Sequence, residues 1–475
     1  MFGRHERLER LAVWPVLVVV AARSALELAV AGRYGWQRDE LYYAVAGRHL
    51  QGGYVEFPPV TALVSALARV FYGWSLVGFR SFVILAGALV TVTAALVARE
   101  LGGSRYAQLL AAVLVGFAPI LLITNNLFQP VSFDQLTTMV VLWLALRLAR
   151  GRGSWPLLGL AIGVGLETKY TLAVVLASLV AGFAVWRRDA LEPRGLLLAA
   201  GIAVALMIPN LLWEATHTWT SVRFFLNPPP SASDESRPQY FLNVVFGANP
   251  VAFPVAVAGA VALFRDLLTR PVGFAAAAVV PAYFLLGGKS YYAAPAVLFA
   301  LAAGALPLER WATARRLWLV GTAFALFTLG TVLTELPTLP LHTADRHGII
   351  AGRSDFESET SWHWLVPDVE RLAAGADVVI ASNYGEAGAL QLFGHGLPAI
   401  ASGDVTMRYW RPKVTGRHAL LIGFDQASAG FCHDYRLVAR LHVPVHSDEQ
   451  SAPIATCSLN GSLADVWPEI TAQSD

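Results

Sequence analysis

Long apolar runs separated by short polar turns fill the first 339 residues, and the pattern then gives way to a mixed polar stretch. An apolar helix of about 17–25 residues crosses the hydrocarbon core of a bilayer. Runs of that kind occupy 11–31, 75–98, 106–124, 133–149, 195–213, 240–264, 271–287, 291–308 and 317–335. The stretch 155–186 is too long for one span and is interrupted by Glu167, Thr168 and Lys169, which predicts two helices meeting at a polar turn. The pattern therefore predicts about eleven spans, the first of them retained rather than cleaved as a leader.

Residues 340–475 read differently. The segment ADVVIASNYGEAGALQLFGHGLPAIASG, followed by RHALLIGF, runs apolar strand, helix, apolar strand, strand. That order predicts a small α/β domain. It carries no GxGxxG turn to mark a nucleotide site, and it reads as a structural cap on the membrane part. The domain division is thus 1–339, with a long outer loop at 32–74, and 340–475.

Composition agrees with the pattern. The chain is 56% hydrophobic and 14% charged, where soluble proteins average about 25% charged. A formal net charge of +2 gives no electrostatic reason to expect nucleic acid as a partner. Arginines gather in alternate loops, at Arg99 and Arg105, Arg147 to Arg152, Arg187 to Arg194, Arg265 and Arg270, and Arg310 to Arg316. By the positive-inside rule those loops and the N-terminus, with Arg4 and Arg7, face the cytoplasm. An odd number of spans then places the tail outside a cell membrane crossed many times. The two cysteines, Cys432 and Cys457, both lie in that tail. Their placement favours a disulfide over two unrelated thiols.

Three polar clusters fall on the outer side. The first follows the first span and holds Arg38, Asp39, Glu40, Tyr42, Tyr43 and Glu56, with amphipathic stretches at 40–50 and 59–72 that predict interfacial helices. The second, NNLFQPVSFDQL, holds Asn125, Asn126, Asp134 and Gln135. The third comprises ETKYT, with Lys169 and Tyr170, and GGKSYYAAPA, with Lys289, Tyr291 and Tyr292. Lys169 and Lys289 are the lysines of the membrane part, which otherwise uses arginine. The loop 214–239, rich in Pro, Ser and charge, reads as a mobile connection or a lid.

Ionisable groups at membrane depth usually line a functional cavity. Lysines can hold a phosphate, and a carboxylate can take a proton from an acceptor hydroxyl. A sugar on a polyprenyl phosphate has the matching shape: an apolar tail in the bilayer, an anionic head at the interface and a sugar facing out. Each group also has a plain structural use. Lysines snorkel, tyrosines belt the interface, asparagines cap helices, and Arg23 with Glu27, four residues apart, reads as a structural pair.

Taken together, WQRDELYYAVAGRHLQGGYVEFPPV, PVSFDQL, GLETKYT and GGKSYYAAPA resemble the GT-C integral membrane glycosyltransferases of glycosyltransferase family 39, the dolichyl-phosphate-mannose–protein mannosyltransferase type, to which the bacterial aminoarabinose transferase of lipid A is related. SNYGEAGAL, DEQSAPIATC and the closing VWP resemble the tails of bacterial members. The resemblance implies a mostly α, polytopic GT-C fold with an extracytoplasmic α/β domain. It implies inverting transfer of a sugar from a polyprenyl phosphate to a protein, lipid or glycan acceptor. Asp39 takes the place of the family's base, Glu40 completes the acidic pair, and Glu56 matches a polar or acidic position near the site. The aminoarabinose transferase has a lysine after that carboxylate, where this chain has Phe57, so Lys169 or Lys289 has to supply the phosphate contact. Asp134, Gln135, Tyr170, Tyr291 and Tyr292 are expected to shape the substrate cavity. No cofactor is demanded, and a divalent cation near Asp39 and Glu56 is the one candidate. The rival expectation is a transporter or flippase of lipid-linked sugars, which would place its polar groups at the bilayer midplane on paired repeats.

Overall fold

The protein is described by a computed structural model over residues 8–226 and 235–472; Arg4 and Arg7, and the Pro- and Ser-rich centre of the 214–239 loop, lie outside the described residues. The chain begins with α1 (Val13–Val30), α2 (Arg38–Ala46), α3 (Val60–Tyr72), α4 (Leu76–Glu100), α5 (Arg105–Gly116), α6 (Pro119–Asn125) and α7 (Pro130–Ala149). It continues through α8 (Trp155–Leu166), α9 (Leu172–Trp186), α10 (Pro193–Thr216), α11 (Thr220–Leu226), α12 (Arg237–Gly247), α13 (Phe253–Arg265), α14 (Arg270–Leu285), α15 (Ala294–Trp311) and α16 (Ala314–Glu335). This is a multi-pass membrane protein. Six of the described helices have the length and hydropathy to cross a bilayer, or seven if the bent pair α5–α6 is one span. The remaining predicted spans fall on shorter apolar helices, including α8, α9, α13 and α14.

Two of the predicted spans are broken, each for a local reason. The run 106–124 bends by 54° between α5 and α6. Pro119 opens α6, and Ala118 before it is extended, at ψ 130°, as the residue preceding a proline prefers. The run 240–264 divides into α12 and α13. Asn249 stands between them at φ 72°, ahead of Pro250. Its side-chain oxygen accepts from the Val251 N–H, and its amide donates to the Phe324 carbonyl and to Thr328. The turn at 167–171 separates α8 from α9 as the sequence predicts. Part of the loop 214–239 is helical rather than irregular, since α10 runs to Thr216 and α11 follows.

A buried ion pair ties α1 to its neighbours. Arg23 on α1 donates to Glu27 at 2.5 Å and to the Asn125 side chain at 3.2 Å, and reaches the Ile84 and Gly116 carbonyls. Both charged side chains are fully buried. Asn125 therefore ties α6 to α1 and α4.

The amphipathic stretches behave unequally. α3 buries Thr61, Ala62, Ser65 and Ala68 and exposes Leu63, Leu67, Val70 and Phe71. An apolar face turned outward is what an interfacial helix presents to lipid. α2 instead buries Glu40, Leu41, Tyr42, Ala44, Val45 and Ala46. Its neighbours are α3 and a helix of the C-terminal region, so it is covered by protein where the sequence suggested lipid.

After α16 come α17 (Leu341–Arg346), α18 (Ser354–Glu357) and α19 (Trp362–Leu372), then β1 (Val378–Ala381), α20 (Tyr384–Phe393), β2 (Ala399–Ser402), β3 (His418–Ile422), β4 (Cys432–Arg440), β5 (Pro453–Leu459) and α21 (Leu463–Ala472). The five strands form one sheet in the order β2-β1-β3-β5-β4. β1 pairs in parallel with β2 and β3, with Val378 opposite Ala399 and Ala419. β5 is antiparallel to β3 and β4. β1, β2 and β3 are the strands the hydrophobic pattern predicts. β4 is largely exposed and carries two register shifts, so it has no apolar run to announce it. Cys432 on β4 and Cys457 on β5 are joined as a disulfide.

Candidate active site

Asp39 and Glu40 are adjacent in the chain and have different environments, because the start of α2 is a capping box. Gln37 is the N-cap; its side chain accepts from the Asp39 N–H at 2.6 Å, and Glu40 accepts from the Gln37 N–H at 2.9 Å. This arrangement uses Glu40 at the third helical position and satisfies donors that a helix start otherwise leaves free. Glu40 also accepts from Arg80 Nε at 2.9 Å, from Arg80 Nη2 at 2.7 Å and from the Phe128 N–H at 2.6 Å. Arg80 extends to Glu359 in the C-terminal region at 3.6 Å. Glu40 is thus a fully buried anchor with donors on both oxygens, and Asp39, one position earlier, is half-buried.

Asp39 faces a ring of tyrosines. Its Oδ1 accepts from Tyr384 Oη at 2.6 Å. Burial first, then the Asp39 charge, push the Tyr43 phenol well above its ordinary range, and the fields of Glu56 and Tyr291 also reach it. Asp39, Tyr43, Glu56 and Tyr291 therefore share one electrostatic neighbourhood.

Glu56 lies in the loop between α2 and α3. Its Oε2 accepts from Tyr42 Oη at 2.6 Å and from Thr406 at 3.5 Å, and its Oε1 is buried without a partner. Burial pushes its carboxyl up to about 8, against the hydrogen bond from Tyr42. Phe57 packs among Tyr42, Tyr43 and Tyr54, with ring centroids 5.6, 4.9 and 4.6 Å away. No cation stands in its place.

As Arg38 stands over Tyr384, Lys169 stands over the Tyr291 and Tyr292 side of this ring. Its ammonium lies 5.3 Å from the Tyr291 centroid and 4.9 Å from that of Tyr292, close enough for cation–π attraction. Asp134, buried at the start of α7 and bonded by Thr138 at 3.3 Å, feels the charge of Lys169. Lys289 is the residue before the short helix Ser290–Ala293, and its side chain makes no capping bond there. Tyr170 donates to Asn210 at 2.9 Å, and Gln135 is fully buried, accepting from Thr124 at 3.1 Å. Among the described residues no group of three or more His, Cys, Asp or Glu could hold a metal ion. The divalent cation considered for Asp39 and Glu56 has no ready ligand set there.

An apolar cavity of about 700 Å³ opens between α6, α12, α15 and α16. Ile120, Val244, Phe246, Val297 and Phe327 line it, together with the polar Ser290, Tyr291, Thr334 and Glu335. Tyr291 thus belongs both to this cavity and to the ring around Asp39 and Lys169.

Residues 56–213 match the family model for dolichyl-phosphate-mannose-protein mannosyltransferase. The undecaprenyl phosphate-alpha-4-amino-4-deoxy-L-arabinose arabinosyl transferase 1 of Pseudomonas fluorescens is 30% identical over 215 residues, 41% of this chain and 39% of that protein. The corresponding transferase of Pseudomonas paraeruginosa is 32% identical over 242 residues, 46% of this chain and 43% of that protein. The chain spans about two fifths of the length of the curated relatives it matches. Among solved structures, apo ArnT from Cupriavidus metallidurans superposes with a TM-score of 0.67 at 14% identity, covering 97% of this chain and 98% of that one. ArnT bound to undecaprenyl phosphate gives 0.63 at 15% identity, covering 93% and 97%.

Proposed function

Given that the chain has the GT-C fold and is related to the aminoarabinose transferases, we propose that it transfers a sugar from a polyprenyl phosphate to an acceptor hydroxyl or amine. In this reading residues 340–475 face away from the cytoplasm and the chain divides near residue 339. The observation that carries the proposal is the position of Tyr291, which lines the apolar cavity and lies beneath the Lys169 ammonium, within the field of Asp39.

The polyprenyl chain lies along the cavity, and its phosphate comes to rest by Tyr291. Lys169, with Lys289 in support, holds the phosphate oxygens. The acceptor oxygen or nitrogen attacks the anomeric carbon from the face opposite the phosphate, and Asp39 takes the acceptor's proton. The bond from the anomeric carbon to the phosphate oxygen breaks, polyprenyl phosphate leaves, and the configuration inverts. A positioned base contributes about 10²–10⁴-fold to such a step. Asp134 supports Lys169, and Glu56 with Tyr42 shapes the acceptor side. Phe57 is an apolar wall, so the lysine acts from the turn between α8 and α9 rather than from the first outer loop.

The test is a donor panel. Purified protein in nanodiscs receives undecaprenyl phosphates carrying 4-amino-4-deoxy-L-arabinose, mannose, glucose or galactosamine, with a membrane extract as acceptor. Release of free undecaprenyl phosphate from one donor, with the sugar recovered on an acceptor, is the expected result. Movement of intact donor across the bilayer without release would favour the transport reading.

A further inference from the structure

The motif SNYGEAGAL lies in the C-terminal region, far along the chain from the carboxylate assigned above. We infer that Tyr384 is a positioning residue for Asp39, so that the C-terminal region supplies a hydrogen bond the site requires. The inference rests on the assignment of Asp39 as base, and it gives a use to the polar residues and both glycines of the motif.

Tyr384 Oη donates to Asp39 Oδ1 at 2.6 Å, across 345 residues of sequence. One oxygen of Asp39 is thereby engaged and the other is left to meet an acceptor. A single-point contact can hold a carboxylate only if the donor is itself fixed, and Tyr384 is fixed from several sides. Its backbone N–H donates to Asp404 at 3.1 Å. Its ring lies 5.1 Å from that of Tyr42, and the Arg38 guanidinium stands 5.5 Å over it. Arg38 is held in turn by Asp448 at 3.5 Å.

Tyr384 is also the first residue of α20, and that helix start is anchored. Asn383 is its N-cap and accepts from the Glu386 N–H at 2.9 Å, while Glu386 accepts from the Asn383 N–H at 3.3 Å. Glu386 further accepts from the Ser382 N–H and hydroxyl, at 2.9 and 3.0 Å. The two glycines let α20 approach α2. A Cβ on Gly385 would overlap the Arg38 side chain, and one on Gly388 would sit 2.9 Å from Leu41 Cβ. Ser382, Asn383 and Glu386 thus fix where the helix starts, Gly385 and Gly388 set how near it comes, and Tyr384 delivers the donor.

A tyrosine that merely packed would be replaceable by phenylalanine without loss. Tyr384→Phe keeps the ring between Tyr42 and Arg38 and removes only the hydroxyl. Two readouts test it. The first is the antisymmetric carboxylate stretch of Asp39, isolated by carboxyl-labelled aspartate as the band lost in Asp39→Asn. It should shift in Tyr384→Phe, whether or not a turnover assay is running. The second is steady-state transfer from whichever undecaprenyl phosphate donor the wild-type protein uses. A charge-assisted hydrogen bond commonly sets a factor of about 10–100, so kcat should fall by that much, with donor KM and Tm held. An unmoved Asp39 band overturns the contact. A moved band with unchanged kcat overturns the positioning role. A moved band in a wild-type protein that releases no sugar from any donor sinks the transferase reading and, with it, the base that Tyr384 would position, while the contact itself stands.

Discussion

Arg80 donates to both oxygens of Glu40, Nε to Oε1 at 2.9 Å and Nη2 to Oε2 at 2.7 Å, with both side chains fully buried. The pair joins α4 to α2, and through Glu359 it reaches the C-terminal region. Removing one partner of a buried pair leaves an uncompensated charge, at a cost of about 3–5 kcal/mol. Glu40→Ala should therefore lower Tm in detergent sharply, where Asp39→Asn leaves it nearly unchanged. Equal stability of the two variants would return Glu40 to the candidate catalytic pair.

Lys169 is expected to carry the donor phosphate. Lys169→Met removes a charge-assisted partner worth about 1.5–3 kcal/mol, so undecaprenyl phosphate should bind about ten- to a hundredfold more weakly. Lys169→Arg should keep part of the affinity, since the charge survives and the geometry changes. Lys289→Met should cost less, because it is Lys169 that stands over the Tyr291 and Tyr292 rings. Titration with a fluorescent undecaprenyl phosphate analogue separates the three.

Glu56 gives the fold a pH dependence of definite sign. Burial raises its carboxyl from 4.5 to about 8, so the folded state binds the proton more tightly than the unfolded chain does. Its contribution is fully present below about pH 4.5 and is lost as pH rises through about 8. Glu56→Gln mimics the protonated form and should flatten the fall in Tm over that window. A wild-type and variant pair with parallel Tm–pH curves would show that Glu56 is ionised in the fold.

The disulfide Cys432–Cys457 links residues 25 apart on neighbouring strands. In the chain-entropy model a loop of that size contributes roughly 3 kcal/mol. Reduction, or Cys432→Ser with Cys457→Ser, should lower the unfolding temperature of the sheet region. Unchanged protease resistance of residues 378–459 after reduction would contradict this.

Much of the fold was legible because the physics was local. Apolar runs of spanning length, the polar break at Glu167 to Lys169 and the strand–helix–strand order of 378–402 all follow from neighbours in the chain. Phe57 stood out only through the family resemblance, and Lys169 and Lys289 stood out alike as the lysines of the membrane part. What escaped was set by distant residues. Asp39 and Glu40 look alike in sequence, and beyond the capping box their surroundings are separated by distant partners, Arg80 and Phe128 on Glu40 and Tyr384 on Asp39. Arg80 carried a signal, an arginine near the start of an apolar run, which is as costly at membrane depth as the lysines that drew attention. Tyr384 carried none, since a tyrosine after a strand is ordinary until α20 is seen against α2. The breaks at Pro119 and Asn249 were hidden by hydropathy alone, though the proline in each marked them.

Asp39 is the residue on which the account turns, and its replacement by asparagine tests it most directly. The substitution keeps size and hydrogen bonding with Tyr384 and removes the ability to take a proton. Turnover of the donor found in the panel should fall by about 10²–10⁴-fold, while undecaprenyl phosphate binds as before. Near wild-type turnover in Asp39→Asn, measured beside unaltered donor binding, would contradict the assignment of Asp39 as base.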